Sequence, residues 1–209
     1  MKTVYVDMDG VLCDFFGASK KALTETPQQR FPQAQWGFFL KLSEIKDSIK
    51  SINILKENYD VWILTRASHR NVNCYTEKAQ WIWDHLGFDM LEKLIICSDK
   101  SKLKGHYLID DQNNAHQDKF EGKWIQFGSD RFPNWEYVTK YMINQLNTNK
   151  QELCESLIGQ NEEILGTMKC EVRIFDRDNT KISPPDTTVN FDRLNIKIIS
   201  NIIDQAYFG

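Results

Sequence analysis

The sequence predicts an α/β fold on a parallel sheet, followed by a small α+β unit. Three observations carry this: short apolar runs that each stop at a polar cluster, helical patterns between them, and a change of composition after Leu146. Thr3 to Asp7 is the first run, ending at two acids and a glycine as a buried strand entering a functional loop does. Ile45, Ile49, Ile52 and Leu55 then share one helical face, and Val61-Trp62-Ile63-Leu64 forms a second run that enters Thr65-Arg66. Ala79, Ile82, Trp83 and Leu86 make the next helical face, with Gly87 placed to end it. Leu94 to Cys97 runs into Ser98-Asp99-Lys100, and Tyr107-Leu108-Ile109 into Asp110-Asp111. Trp124 to Phe127 precedes Gly128-Ser129, and a helix is predicted over 135–146. Continuously apolar strands alternating with helices give a parallel sheet covered on both faces, whose ligands bind beyond the carboxyl ends of the strands. Every polar cluster named lies at that end.

Asn147-Thr148-Asn149-Lys150 is polar and reads as a linker, so the predicted domains are 1–147 and 148–209. The second holds a helical stretch (Leu153, Leu157, Ile158, Ile164, Leu165), the strand Val172 to Phe175, a turn-rich segment from Asp176 to Val189, and the strand Leu194 to Ile198. Within the turn-rich segment, Asp176-Arg177-Asp178-Asn179-Thr180 reads as a turn rather than a cation site.

Composition narrows the function. The chain of 209 residues is 41% hydrophobic and 12% aromatic, enough to bury a core. A net charge of -3 gives no basic excess for a nucleic acid polymer, while single nucleotides stay open as ligands. No apolar run approaches the ~18 residues that span a bilayer, and no signal segment precedes the first strand, so a cytoplasmic protein is expected. Cys13, Cys74, Cys97, Cys154 and Cys170 contain no C-x-x-C pair and read as reduced, buried thiols. His69, His85, His106 and His116 have no metal-ligand spacing.

The chemistry concentrates in the acids. Asp7 and Asp9 fall on one side of an extended segment, and two carboxylates facing each other repel unless a cation lies between them. Asp110-Asp111 ends another strand at the same sheet edge, and hard oxygen ligands from two strands describe a magnesium site better than a zinc site. A calcium loop of the helix-loop-helix kind fails because Gly10 comes two positions early. Thr65 supplies a hydroxyl and Lys100 an ammonium, which together can cradle an anion of phosphate geometry.

The ordered set Asp7/Asp9, Thr65, Lys100, Asp110/Asp111 resembles the haloacid dehalogenase superfamily of phosphohydrolases and matches its four motifs in order. Asp7 to Phe15, Tyr75 to Trp81 with His85-Leu86-Gly87, the Asp99-Lys100 pair ten residues ahead of Asp110, and Leu108 to Asp111 are similar to the 5'(3')-deoxyribonucleotidases over residues 2–145. Arg30 to Gln33, Gly37 to Phe39 and Phe120 to Gly128 read closest to bacterial members. The resemblance implies a Rossmann-like sheet with a small helical cap at 14–45, and a magnesium-dependent phosphomonoesterase acting on deoxyribonucleoside or ribonucleoside monophosphates. It implies Asp7 as nucleophile, Asp9 as general acid and base, and Thr65 and Lys100 as holders of the phosphoryl oxygens. Magnesium would be held by Asp7, the Asp9 carbonyl and Asp111, with Asp110 in or just behind that shell. Phe15 matches a residue that stacks on the base. Only 55 residues separate Asp9 from Thr65, so the cap is small, and Phe31, Trp36 and Phe38 are its aromatic candidates for substrate contact, with core packing the other reading of each. Arg66 stands where the human enzymes have a small residue and joins the substrate-binding candidates.

Residues 153–209 resemble a second family, the small peptidase inhibitors related to potato inhibitor I, through Cys154, Leu157 to Gln160, Val172 to Ile174, Asp192 to Ile196 and Phe208-Gly209. The resemblance implies a helix on a small sheet and an exposed 176–191 loop, with a reactive bond near Thr187-Thr188 braced by Arg193. Phe208 stands where the family often has the cysteine paired with the position of Cys154, and Pro184-Pro185-Asp186 gives the loop another shape. Two alternatives to the nucleotidase reading therefore stand: a binding protein whose C-terminal module inhibits or docks a protease or other partner through that loop, and a phosphatase for another small phosphoester. Oligomeric state does not follow from the residues, and a homodimer stays open.

Overall fold

The computed structural model describes residues 1–157, 171–175, 181–182, 193–199 and 202–208. The chain divides into two compact units, Met1–Met142 and Ile143–Gly209. The predicted loop at 176–191 and its reactive bond lie outside the described residues, apart from Lys181 and Ile182.

In the first unit the strands are β1 (Lys2–Val6), β2 (Tyr59–Thr65), β3 (Leu94–Ile96), β4 (Tyr107–Asp110) and β5 (Lys123–Gln126). They form one sheet in the order β3-β2-β1-β4-β5, with every pairing parallel. The chain winds outward from β1 through β2 to β3, then returns to the other side of β1 for β4. The reversal makes a crevice between the carboxyl ends of β1 and β4, where an open α/β sheet binds its ligand. Val4, Val6, Leu108 and Ile109 are fully buried there, as the continuous apolar runs predict.

Each face of the sheet is covered. Tyr5, Leu64, Leu108 and Phe120 form a buried cluster on one side, against which Trp62, Ile95 and Trp124 pack. Elsewhere in this unit the Tyr59 hydroxyl donates to the carbonyl of Met142, 2.8 Å away. Met142 belongs to a helix whose first turns bury Trp135, Val138, Thr139 and Met142, at the 3.6-residue spacing of a helix lying on a sheet.

The helices are α1 (Phe15–Glu25), α2 (Ser48–Lys56), α3 (Cys74–Leu86), the single turn α4 (Phe88–Leu91) and α5 (Trp135–Leu157). Asp14 caps α1 through its carboxylate, which accepts from the Gly17 amide. Gly87 closes α3 at a positive φ of 84°, as predicted. Between α1 and α2 the chain makes only two short 3-10 turns, Pro32–Ala34 and Phe39–Lys41, so the cap is small. It is tied to α3 by the Trp81 indole, which donates to the Leu42 carbonyl.

Two expectations need correction. The predicted linker 147–150 is helical, because α5 runs on to Leu157: polar residues without Gly or Pro do not break a helix already nucleated upstream. The buried face of α3 is Cys74, Glu77, Lys78, Trp81 and Ile82, whereas Trp83 is half exposed. An apolar-periodicity reading assumes that charges face water, and here two of them do not.

The second unit contains β6 (Glu171–Phe175), β7 (Lys181–Ile182), β8 (Arg193–Ile199) and β9 (Ile202–Phe208), in the order β7-β6-β8-β9. β6 and β8 are parallel, and the outer pairings are antiparallel. Among the described residues no helix is long and apolar enough to cross a membrane.

Candidate active site

β1 delivers Asp7 and β4 delivers Asp110 because the two strands are paired: the Asp7 amide donates to the Ile109 carbonyl at 2.9 Å. Beyond β1 the chain folds back tightly, with the amides of Leu12 and Cys13 both donating to the Met8 carbonyl. Gly10 makes this turn at φ 79°, and a Cβ there would collide with the Asp111 carboxylate and the Phe16 ring. The Asp7-to-Gly10 segment therefore lies directly against Asp111.

Two buried lysines organise three of the four acids. Lys100 Nζ lies 2.9 Å from Asp7 Oδ1 and also pairs with Asp110 Oδ2. Lys78 Nζ lies 2.8 Å from Asp9 Oδ2 and donates to the Thr65 hydroxyl at 2.7 Å. Lys78 is fully enclosed on α3. Gln117 completes the arrangement, its amide nitrogen 3.0 Å from Asp110 Oδ2 and its oxygen accepting from the Ala115 amide.

Burial works against both ammonium groups, but the charges of Asp9 and Asp7 on Lys78, and of Asp7 and Asp110 on Lys100, outweigh it and hold each above the usual lysine value. Burial raises Asp9 above the ordinary carboxylate range, opposed by Lys78 and reinforced by Asp7. Burial, then the Asp7 charge, pushes Asp110 up as well, and burial with Asp7 and Asp110 pushes Asp111 up to about 7.

Asp7, Asp110 and Asp111 can each present an oxygen to one point, these atoms lying within 4.8 Å of one another. All the donors are hard oxygens, and the four carboxylates, once fully ionised, carry two negative charges beyond what the two ammonium groups offset. A divalent cation of the magnesium type fits both the ligand set and the charge. The Asp9 carboxylate pairs with Lys78 and is not among these three.

The raised carboxylates make stability depend on pH. Between the ordinary carboxylate range near 4 and about 7, the metal-free folded state holds protons that the unfolded chain has released, so its stability falls as pH rises through that window. Thermal unfolding without divalent cation is expected to show this fall, and added magnesium to remove it. A metal-free unfolding temperature that rises across the window, with no magnesium effect, would contradict the assignment.

A cavity of about 620 Å³ opens over the acids, walled by Asp7, Asp9, Thr65 and Asp111 and, further out, by Phe15, Phe39, Arg66 and His69. The Arg66 guanidinium is held across it by the Asn114 carbonyl at 2.7 Å. Of the predicted substrate contacts, Phe15, Thr65 and Arg66 are in the wall. Lys100 is not: it is buried behind Asp7 and Asp110. Phe31 and Trp36 are exposed and lie outside the wall, and Phe38 packs on Phe15 and Phe39. Phe39, not among the candidates, also borders the cavity and is buried. His69 lines the cavity and contacts Arg66, and none of the four histidines belongs to the acid cluster. Cys13 and Cys74 are buried free thiols, as predicted, and Cys97 is half-buried.

Lys78 is the functional residue that motif reasoning passed over. The signal was the stretch Cys74 to Trp81, whose Cys74, Lys78 and Trp81 fall on one helical face.

Comparison with known proteins adds the following. The family model described as 5' nucleotidase, deoxy (pyrimidine), cytosolic type C protein matches residues 24–140, a span that includes Thr65, Lys78, Lys100, Asp110 and Asp111. A Vibrio phage KVP40 protein whose name proposes a 5'(3')-deoxyribonucleotidase is 33% identical over 145 residues, covering 68% of this chain and 85% of its own. The human 5'(3')-deoxyribonucleotidase of cytosolic type is 27% identical over 167 residues, covering 65% of this chain and 77% of its own. The mouse mitochondrial 5'(3')-deoxyribonucleotidase is 25% identical over 170 residues, covering 65% and 70%.

Proposed function

The chain belongs to the deoxy (pyrimidine) 5'-nucleotidase family of cytosolic type C, and on that premise we propose that its first unit hydrolyses nucleoside monophosphates, deoxyribonucleotides foremost, to nucleoside and phosphate. The observation that carries the reading is the convergence of Asp7, Asp9, Thr65 and Asp111 with the Phe15 and Phe39 rings in one cavity. An anionic reacting group and a flat apolar group are thus received side by side. The sheet order and the order of the acid, hydroxyl and lysine positions support a fold of haloacid dehalogenase type.

Asp7 attacks phosphorus, and the bond to the nucleoside oxygen breaks. Lys100, bound to one Asp7 oxygen, orients the carboxylate for that attack. Asp9, raised by burial so that it can carry a proton, delivers it to the departing oxygen. In the second half Asp9 takes a proton from the water that hydrolyses the aspartyl-phosphate. Thr65 donates to a phosphoryl oxygen, with Lys78 fixing its hydroxyl, and Arg66 supplies a cation at the rim. Asp7, Asp110, Asp111 and the Asp9 carbonyl would hold magnesium, which supplies charge neutralisation at the phosphoryl group.

The second unit is read as an α+β module of inhibitor type. The parallel β6–β8 pair supports this, because neighbouring parallel strands need a long connection, and residues 176–192, which include β7, supply it. Inhibition or docking of a protein partner through the loop is the use that this reading proposes for the module.

A panel of 5'- and 3'-monophosphates, deoxy and ribo, assayed for phosphate release with the full chain tests the function. Release from nucleotides, lost with chelator and restored by magnesium, is the expected result. Release from sugar phosphates alone would favour the other phosphatase reading, and no release from any monophosphate would leave the binding-protein reading.

A further inference from the structure

Glu77 precedes Lys78 on α3 and is fully buried, yet among the described residues no lysine or arginine pairs with it. Its hydrogen bonds come from the cap. The Gly37 amide donates to Oε1 and the Phe39 amide to Oε2, each at 3.0 Å, and Asn71 Nδ2 donates to Oε1 at 3.1 Å. Asn71 also donates to the Gln35 carbonyl at 3.3 Å. Three N–H donors converge on two oxygens, a task for a group that only accepts. A glutamine would present its own N–H to one of them.

What Glu77 holds is a wall of the cavity. Phe39 is fixed by its amide and borders the cavity while only 1% exposed; its ring stacks on Phe15 at 6.1 Å and 25° and lies under Lys78 Nζ at 5.2 Å. Phe39 thus meets α3 twice, through its backbone at Glu77 and its ring at Lys78.

We infer that Glu77, assisted by Asn71, is a positioning residue for base recognition: it fixes the 37–39 segment so that the buried Phe39 ring backs the part-exposed Phe15 ring, which receives the planar base, without contacting the phosphoryl group. The inference rests on the nucleotide reading of the cavity. It separates two parts of the site that share α3: Lys78 serves the acids, and Glu77 serves the rings.

The test compares Glu77→Gln and the milder Asn71→Ala with the wild type in three measurements: steady-state kinetics on the best nucleoside monophosphate, the same on 2-deoxyribose 5-phosphate, which has the reacting group but no base, and amide hydrogen exchange over residues 35–42. Glu77→Gln is expected to raise the nucleotide KM by about tenfold, with kcat changed less than about threefold. Its kcat/KM on the sugar phosphate should stay within about threefold, and exchange at Gly37 and Phe39 should quicken. Asn71→Ala should move the same quantities the same way by less, and decides the matter if Glu77→Gln does not fold. Equal losses on both substrates would overturn the inference, since Glu77 would then merely support Lys78, and so would an unchanged nucleotide KM. If the wild type cleaves no nucleotide, the nucleotide reading and the base-recognition role fall together. Faster exchange in Glu77→Gln would then preserve only the cap-fixing role, and unchanged exchange would remove that too.

Discussion

Asp7→Asn is expected to lower magnesium-dependent phosphate release by at least ~10⁴-fold, the scale seen when a nucleophile is removed from an otherwise intact site. The amide is nearly isosteric and keeps the place of the side chain between Lys100 and Asp111, so the protein should fold. The same substitution removes one charge that raises Asp110 and Asp111, so the pH dependence of unfolding without metal should weaken. The two readouts are independent. Activity that survives Asp7→Asn would remove Asp7 as nucleophile, and a metal-free pH dependence left unchanged would remove it from the acid cluster.

Lys78→Met is the second large effect. It removes the cation beside Asp9 and the donor to Thr65 while keeping the length of the side chain. Asp9, raised by burial and now unopposed, would hold its proton more firmly and fail as the base for water, so kcat should fall by ~10²–10⁴ and its acidic limb should move to higher pH. Stability should fall by about 2 kcal/mol. That is less than the ~3–5 kcal/mol for breaking a fully enclosed pair, because Asp9 keeps a quarter of its side chain accessible and can take up a proton. An unshifted pH profile with a lowered kcat would instead assign Lys78 to phosphoryl binding alone.

The residues that sequence reasoning found and those it missed differ in how they sit in the chain. Asp7, Thr65 and Asp110 end or directly follow strands, where an apolar run stops at a polar residue and both the strand and the site are marked by one local change. Asp9 and Asp111 follow from their spacing to these. Glu77, in the first turn of α3, and Lys78 beside it sit among residues whose apolar members, Ala79, Ile82, Trp83 and Leu86, suggested another face. Nothing local distinguishes a buried lysine from a solvated one. The burial comes from Asp9 and Thr65, 69 and 13 residues away, and from cap amides about 40 residues back. The aromatic candidates stayed open between substrate contact and core packing for a related reason: nothing local tells Phe31, Trp36 and Phe38 from Phe39, whose tie to Glu77 lies 38 residues away.

The winding of the sheet also sets an order of events in synthesis. β1 is made first yet occupies the centre, and its second edge stays open until β4 emerges about 100 residues later. At ~5–20 residues per second, Asp7 and Asp9 spend roughly 5–20 s on a nascent chain that lacks Asp110, Asp111 and Lys100. The acid cluster is therefore among the last contacts of the first unit to close, and a long-range contact of this kind slows folding rather than nucleating it. A cation that needs all three carboxylates has no site on the growing chain until β4 pairs with β1, and its binding reports that pairing.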